Sequence, residues 1–355
     1  MSEKVRVGII GLGIGRHHVH GYATCEQAEL IAVCDLDQSR IDRLTQDVER
    51  RWGMRVEVGH TFNDYHEMLA LEKLDAVSVA LPNWLHAPVT LDALRAGKHV
   101  LVEKPMALNA QEAQQMKVAA QEAGLKLMVQ FNYRFTPPAQ VMKRYVDSGE
   151  MGQIYFARTG WHRNRGIPKF GSWFGQKAKA GGGPLIDLGV HRLDLALWLM
   201  GNPKPVSVCG AAYDHIGSRL AAEQGRDFDV EDLAVAFIRM ANGATIMLEV
   251  SWASNSERRE DMFTTLYGTK GGMVHRNIGD SYQFEARFFR EEHGALVEVA
   301  PRILPQDLET PWQHFVRCIL EDREPMASAQ DGVEMMKVLD AIYHSAGTGH
   351  EVLVE

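Results

Sequence analysis

The sequence predicts a doubly wound parallel α/β sheet in the first part of the chain and a mostly antiparallel α+β sheet in the second. Three observations lead to this prediction. Strands and helices alternate up to about residue 130, a glycine-rich turn follows the first strand, and after Phe131 strands follow one another without intervening helices. Alternation is typical of a parallel sheet covered on both faces. Because 355 residues are many for one core, we expect two domains, 1–130 and 131–355.

The elements of the first part follow from short apolar runs separated by segments of helical pattern. The predicted strands are Val5–Ile10, Leu30–Cys34, Ala76–Ala80, His99–Val102 and Lys126–Val129. The predicted helices include Gln38–Arg51, Tyr65–Ala70, Ala87–Ala96 and Ala110–Ala123, and another begins near Arg16.

The second part opens with Pro137-Pro138 and a helix that ends near Ser148. Its predicted strands are Ile154–Trp161, Val206–Tyr213, Leu233–Arg239, Ala244–Trp252, Met262–Tyr267 and Tyr282–Phe289. Asn242-Gly243 is typical of a hairpin turn between two of them. The polar segment Arg219–Glu231 suggests a mobile loop. A closing helix of about Asp331–Ser345 is expected to pack near the first domain.

The turn Gly11-Leu12-Gly13-Ile14-Gly15-Arg16 and the acid Asp35 have the layout of a dinucleotide site. Glycines let the backbone approach a pyrophosphate, and the following helix offers unpaired N–H groups to that anion. A carboxylate about 20 residues further on accepts hydrogen bonds from a ribose. The usual third glycine is replaced by Arg16, so an ordinary turn with glycines for packing is the alternative.

Asp35 also bears on the choice of cofactor. A carboxylate at this strand end repels a 2′-phosphate, so NAD is favoured over NADP. Asp37 adds a second acid close by, whereas Arg40 could still reach a phosphate.

Two further segments follow strands at the same edge of the sheet, where ligands of such sheets bind. In Glu103-Lys104-Pro105, Lys104 could hold a substrate oxygen, Glu103 could orient it, and Pro105 could stiffen the turn through a cis bond. A surface ion pair is the alternative. Pro82-Asn83-Trp84-Leu85-His86 could line the cofactor groove, and Asn83 could cap the next helix.

The segment Gly181–Gly201 is predicted to be a buried helix that starts near Pro184 and stops at Gly201. Its Asp187, His191 and Asp194 are spaced i, i+4 and i+7, which places them on one face. Buried charges need partners. The three interpretations are a satisfied core network, a metal site that no further ligand cluster supports, and an acid–base site in which His191 accepts a hydroxyl proton.

Aromatic and basic residues mix in two segments that suit sugar faces, sugar hydroxyls or an anionic substrate group. These candidate substrate residues are Tyr133, Arg134, Trp161, Arg163 and Arg165. A solvated loop without a ligand is the alternative. His17, His18 and His20 resemble a metal cluster, but they open the first helix and are interpreted as surface residues that contact the cofactor or another subunit.

Composition excludes several classes of function. The formal charge of −8 gives no reason to expect nucleic acid or an anionic membrane as a partner. Four scattered cysteines without a C-x-x-C pair argue against a disulfide framework or a structural zinc site. The start of the chain leads directly into a strand, and no apolar run is long enough for a bilayer. We therefore expect a cytoplasmic protein.

Taken together, these segments resemble the glucose–fructose oxidoreductase/inositol dehydrogenase (Gfo/Idh/MocA) family over nearly the whole chain. The matching stretches are Val7–His18 with Asp35, 75–86, 96–107 and the Gly181–Asp194 helix. The resemblance implies an NAD-binding Rossmann domain and an open-faced sheet with helices on one side. It further implies that Lys104, Asp187 and His191 are catalytic. The short glycine turn departs from the family pattern, so the pyrophosphate contacts are not carried over. The 163–174 insert resembles that of one subgroup of the family, and the substrate is not carried over through it.

The resemblance implies an NAD-dependent dehydrogenase that oxidises a secondary hydroxyl of a sugar, polyol or sugar derivative, including an anionic one, and passes hydride to nicotinamide C4. An alternative is an NAD-dependent glycosidase, in which transient oxidation at C3 permits elimination of the aglycone. A third is a non-catalytic NAD-binding regulator. An exposed face on the second sheet would favour a homodimer or homotetramer.

Overall fold

The computed structural model describes residues 4–302, 305 and 308–355. The contacts between its residues divide the chain into two compact units. The first contains the chain up to Gln130 together with Glu309–Glu334, and the second contains Phe131–Leu308 and Met335–Glu355. Residues 309–334, which the sequence boundary assigns to the second domain, thus belong to the first unit. The reason is local pairing: the Val129 N–H donates to the Ala327 carbonyl at 3.0 Å, at the open edge of the first sheet.

The first unit contains a six-stranded sheet with strands in the order β3-β2-β1-β4-β5-β6, and every neighbouring pair is parallel. Its strands are β1 (Val5–Ile10), β2 (Ala28–Cys34), β3 (His60–Phe62), β4 (Ala76–Val79), β5 (His99–Val102) and β6 (Leu127–Val129). Its first five helices are α1 (Arg16–Ala23), α2 (Gln38–Trp52), α3 (Tyr65–Leu69), α4 (His86–Arg95) and α5 (Ala110–Ala123). This order confirms the doubly wound sheet, and its switch point lies between β1 and β4.

Local sequence explains why these elements begin and end where they do. The Asp37 carboxylate accepts the Ser39 N–H at the start of α2, and Gly53, at φ +69°, ends that helix. Asn109 caps α5 in the same way. The central strands are apolar and buried on both faces, as parallel strands under helices must be.

The second unit is built on a nine-stranded sheet in the order β14-β13-β12-β11-β7-β10-β9-β8-β15. The strands are β7 (Ile154–Arg163), β8 (Pro205–Tyr213), β9 (Leu233–Met240), β10 (Thr245–Ser251), β11 (Glu260–Gly268), β12 (Gly271–Asn277), β13 (Phe284–Glu292), β14 (Ala295–Val299) and β15 (Val352–Leu353). All neighbouring pairs are antiparallel except β7 with β10. The predicted mostly antiparallel sheet is therefore confirmed.

The remaining helices are α6 (Pro137–Asp147), α7 (Lys177–Ala180), α8 (Val190–Leu199), α9 (His215–Glu223), α10 (Pro311–Leu320) and α11 (Ala329–Thr348). Helix α10 lies in the first unit, and α11 contributes residues to both units. Within the described part of the chain, none of the helices is both long and apolar enough to cross a membrane.

Two predictions for the second unit meet different outcomes. The Asn242-Gly243 hairpin is confirmed, since β9 and β10 pair around it and Gly243 has φ +84°. The mobile loop predicted for Arg219–Glu231 is wrong in two places. Helix α9 covers its beginning, and Glu231 at its end is buried.

Candidate active site

The three glycines after β1 have different surroundings. Gly11 has φ +93°, and a Cβ there would overlap the Ala80 carbonyl. A Cβ on Gly15 would overlap the Gly11 carbonyl oxygen. A Cβ on Gly13, in contrast, would meet only the Arg40 guanidinium, at 3.8 Å. The outer two glycines therefore serve the turn itself, whereas the middle one leaves a face that a ligand can approach.

The residues around this turn fit a dinucleotide. The Asp35 carboxylate accepts the Leu12 N–H at 2.7 Å, which ties the turn to the end of β2. In the described structure no side chain caps the N terminus of α1, and the His17 N–H donates to the Ile14 carbonyl at 2.9 Å. A helix N terminus without a side-chain cap can receive an external anion. Ile14 is half exposed beside them. Arg16 donates to the Asp47 carboxylate at 2.9 Å and to the Gly13 carbonyl at 3.2 Å.

The segment after β4 differs in part from the prediction. His86 is buried, and its Nδ1 and Nε2 contact the carbonyl oxygens of Pro105 and Leu81 at 2.6 and 2.7 Å. His86 thus joins two loops, and burial lowers its pKa. Asn83 is not the cap of α4, because it begins a short 3₁₀ turn and Leu85 occupies the cap position. Pro82, just before that turn, is partly exposed.

Glu103 and Lys104 follow β5 as predicted, and the Lys104–Pro105 bond is cis. The Glu103 carboxylate contacts His18 Nε2 at 3.0 Å through one oxygen and accepts the Lys104 N–H at 3.2 Å through the other. Burial alone would raise the pKa of Glu103, but the hydrogen bond from His18 and the nearby Lys104 charge bring this pKa below its ordinary value. The turn that carries Lys104 is therefore anchored through an ionised carboxylate.

The interpretation of the three histidines of α1 as surface residues is wrong for His18, whose side chain is fully buried. His17 and His20 instead pack against Trp52, with ring centroids 5.2 and 4.8 Å away. No cluster of metal-ligating side chains occurs in residues 4–302, 305 and 308–355. Which of the three histidines faces inward depends on how the short helix α1 is rotated about its axis. Because the three side chains are identical, the sequence pattern does not predict that rotation.

In the second unit, the predicted helix from Pro184 to Gly201 has two parts. Leu185–Gly189 forms a π-helical turn, and α8 continues directly from it. Asp187 lies in the first part and His191 in the second. The Glu231 carboxylate accepts the N–H groups of Gly183 and Leu185 at 2.9 and 3.0 Å. Glu231 therefore caps the segment that carries both candidate catalytic residues.

Two predicted substrate residues surround His191. The ring of Tyr133 lies 5.2 Å from the imidazole and that of Trp161 lies 5.9 Å from it, measured between centroids. Both rings are largely buried, so they form a wall beside the histidine. The Asp187 carboxylate accepts the indole N–H of Trp252 at 3.0 Å. The structure thus brings His191, Tyr133 and Trp161 together, and Asp187 lies on the same helical segment as His191.

The side chain of Arg134, a predicted substrate residue, is buried in an ion pair. A 3₁₀ turn, Asn132–Phe135, directs its side chain inward, where it is 2% exposed. Its Nε donates to both carboxylate oxygens of Asp194 at 3.1 Å, and its Nη2 donates to Oδ1 at 2.6 Å. Asp194 thereby acts in a buried ion pair, although its spacing suggested the face of Asp187 and His191.

The two remaining predicted bases have different partners. Arg163 donates from Nε to the Glu260 carboxylate at 2.9 Å and from Nη2 to the Tyr282 hydroxyl at 2.7 Å. Arg165 is exposed and donates to the Ser254 carbonyl and the Asn255 side chain at 3.1 and 2.9 Å.

Sequence reasoning missed the partners that hold these residues: His18, Glu231, Trp252, Glu260 and Tyr282. Trp252 follows β10 directly, so its place at a strand end was a usable signal. Glu260 lies opposite Arg163 in the register of β11 with β7, and this register is not visible in the sequence.

Comparisons with known proteins match both parts of the chain. The model described as "Oxidoreductase family, NAD-binding Rossmann fold" matches residues 5–131, and the GFO/IDH/MocA C-terminal domain model matches residues 139–274. D-glucoside 3-dehydrogenase of Escherichia coli (strain K12) is 32% identical over 99% of this chain and 98% of its own length. The scyllo-inositol 2-dehydrogenase (NAD(+)) of Bacillus subtilis (strain 168) is 27% identical over 100% and 98%.

Among solved structures, the aldose-aldose oxidoreductase from Caulobacter crescentus complexed with glycerol superimposes with a TM-score of 0.81. It is 27% identical, and the match covers 99% of this chain and all of that one. These findings confirm the family resemblance given by the sequence motifs.

Proposed function

The chain belongs to the GFO/IDH/MocA oxidoreductases, and we propose that it is an NAD-dependent dehydrogenase that oxidises a secondary ring hydroxyl of a sugar or glycoside. The observation that carries the proposal is the arrangement of Asp187 and His191 on one capped helical segment beside Tyr133 and Trp161. A near full-length relative is named D-glucoside 3-dehydrogenase. The hydroxyl at C3 of a glucoside is therefore the first substrate to test.

Each candidate residue has one task in this proposal. Lys104 donates a hydrogen bond to the oxygen of the reacting hydroxyl. His191 accepts the hydroxyl proton as the C=O bond forms. Asp187 orients the substrate and tunes His191. Bound NAD supplies the acceptor for the hydride, at nicotinamide C4. The O–H proton and the C–H hydride both leave the substrate, so the carbinol is oxidised to a ketone by two electrons.

NAD is the proposed cofactor in preference to NADP. Asp35 places a buried carboxylate at the end of β2, where a 2′-phosphate would meet like charge. Arg40, the base that could offset this charge, already pairs with Asp35 at 3.2 Å and with Asp37 at 3.6 Å. Its guanidinium would have to leave both carboxylates before it could bind a phosphate.

Kinetics with two truncations tests the catalytic roles. Lys104→Met and His191→Asn should each lower kcat on a glucoside by about 10²–10⁴-fold, while the Kd for NAD changes little. The exposed residues Lys73 and His344 provide matched controls, since Lys73→Met and His344→Asn should retain full activity. Unchanged turnover in both site variants would refute the assignment.

The same assay separates the three candidate functions. A panel of free sugars, inositols and aryl glucosides is incubated with NAD and, in parallel, with NADP. Net NADH formation without release of the aryl group indicates a dehydrogenase. Aryl release without net NADH indicates the glycosidase. Tight NAD binding with no turnover of any compound would favour a regulator.

We further propose that the chain forms a homodimer or homotetramer through the second sheet. Met247 and Phe237 are cross-strand neighbours on this sheet, and they are 42% and 37% exposed. Tyr213 and Tyr267 are exposed on other strands of the same sheet. Exposed apolar patches of this kind mark interaction surfaces. Light scattering should give two or four times the chain mass, and Met247→Lys should lower it.

A further inference from the structure

One carboxylate oxygen in the second unit accepts three hydrogen bonds. Oε1 of Glu260 accepts the Trp161 indole N–H at 2.7 Å, the Arg163 Nε–H at 2.9 Å and the Tyr282 hydroxyl at 3.1 Å. We call these four residues the Glu260 cluster. Because Glu260 and Arg163 are paired in the register of β11 and β7, the sheet itself holds them opposite each other.

The Glu260 cluster lies next to the candidate catalytic residues. The Trp161 ring packs 5.9 Å from the His191 ring, and the Arg163 guanidinium lies 4.9 Å above the Trp161 ring. Burial alone would lower the pKa of Arg163, but Glu260 and Tyr282, and to a smaller extent Asp187, raise it above its ordinary value. Asp187 is therefore close enough for its charge to act on the same guanidinium.

The charges of the cluster are internally balanced. The side chains of Arg163 and Glu260 are 19% and 14% exposed, so their ion pair is shielded from water and is stronger than a surface pair. The neighbouring base on β7, Arg158, is likewise paired with a carboxylate, that of Glu249, at 2.6 Å. An incoming anion thus meets an arginine whose charge is already matched.

We propose that Glu260 makes the sugar site selective for uncharged sugars, because it neutralises Arg163 and thereby excludes uronates and other anionic sugars. This inference rests on the proposed function. A uronate carboxylate could displace Glu260 from Arg163, but the shielded Glu260 carboxylate would then lose its counter-charge. Otherwise the uronate would lie unpaired near the carboxylates of Glu260 and Asp187. The hydroxyls of a neutral sugar can donate to carboxylates and accept from Tyr282 or Arg163 without breaking the pair.

The test compares two substrates that differ only at C6: methyl glucoside and methyl glucuronide. The measured quantity is the ratio of kcat/KM for the glucuronide to that for the glucoside. Glu260→Gln retains the shape of the side chain and leaves the Arg163 charge unmatched, so the ratio should rise by about ten-fold or more. Arg163→Gln combined with Glu260→Gln should return the ratio to near the wild-type value.

The matched control is Glu298→Gln. Glu298 is also a carboxylate of this sheet that pairs with an arginine, Arg287, at 3.2 Å, but it lies outside the cluster. Its replacement should leave the ratio unchanged. If Glu260→Gln does not fold, Arg163→Gln alone serves as the second variant. It leaves the Glu260 charge unmatched and should make the ratio fall below that of the wild type.

Binding measurements keep this inference separate from the proposed function. If the wild type turned over no sugar, the proposed dehydrogenase activity would be refuted. Calorimetric titration of the NAD-bound protein with the two glycosides would still measure which of them binds more tightly. In that case the glucuronide should bind more tightly to Glu260→Gln than to the wild type. A wild-type preference for the glucuronide, or a ratio that no cluster variant changes, would overturn the proposal.

Discussion

The buried ion pair of Arg134 and Asp194 allows a quantitative test of the core of the second unit. Three hydrogen bonds of 2.6–3.1 Å join the two groups, and both side chains are only 2% exposed. Asp194→Asn keeps the size of the acid and removes its charge. The substitution leaves the guanidinium without its counter-charge in a region from which water is excluded.

The expected loss is large because an uncompensated charge remains buried. Removing one partner of such a pair costs about 3–5 kcal/mol. Domains have free energies of unfolding of about 5–15 kcal/mol, so the loss is about a fifth or more of that stability. Replacing both partners by apolar residues, Arg134→Met with Asp194→Leu, removes both charges together. The double variant should therefore lie within about 1–2 kcal/mol of the wild type.

Urea denaturation gives these free energies, and hydrogen exchange of the α8 amides reports the second unit separately. The exposed pair Arg219 and Glu223, at 57% and 56% exposure, provides the control. Glu223→Gln should cost less than about 0.5 kcal/mol. If Asp194→Asn costs no more than this control, or if the double variant raises the KM for sugar more than the single one does, the assignment of Arg134 to the core is wrong.

Three further predictions follow from the described contacts. Gly15→Ala should lower the melting temperature because its methyl group would overlap a backbone carbonyl of the same turn. Gly13→Ala, whose Cβ has a neighbour only at 3.8 Å, should keep that temperature while the Kd for NAD rises about ten-fold. The lowered pKa of Glu103 means that its ionised form stabilises the fold above the ordinary glutamate pKa. The difference in unfolding free energy between the wild type and Glu103→Gln, from urea titrations at several pH values, should therefore shrink as pH falls through the folded-state pKa. Tyr343→Phe removes a hydroxyl that donates to Glu231 at 2.9 Å and should cost about 1 kcal/mol in thermal or urea unfolding.

The elements with complete local signals could be predicted from the sequence. Strands β1 and β5 and helix α5 have the predicted bounds, because each combines an apolar pattern with a clear start or stop. Strands β3, β12 and β14 were not predicted. The first has three residues, the second begins with two glycines, and the third is largely exposed. Such strands are stabilised by hydrogen bonds to a neighbouring strand, and the local sequence does not show which strand that is.

The same division holds for the candidate site. Residues that come one or two positions after a strand of the first unit, such as Asp35, Glu103 and Lys104, lie at positions that the alternation of elements defines. Residues whose role depends on a partner far away in the sequence cannot be recognised from their position alone. Arg134 and Asp194 are 60 positions apart, and nothing in either segment indicates that the two side chains meet.

Arg134 and Arg163 show why partners decide the chemistry of a base. Arg134 follows Tyr133, and Arg163 lies two residues after Trp161. Both suggested an anionic substrate when only the cations were counted. Arg134 is neutralised by Asp194 in the core, and Arg163 is neutralised by Glu260 beside the candidate site. A cation recruits an anionic ligand only in proportion to the charge that its own protein leaves unmatched. Counted with their carboxylates, these two arginines therefore favour a neutral sugar.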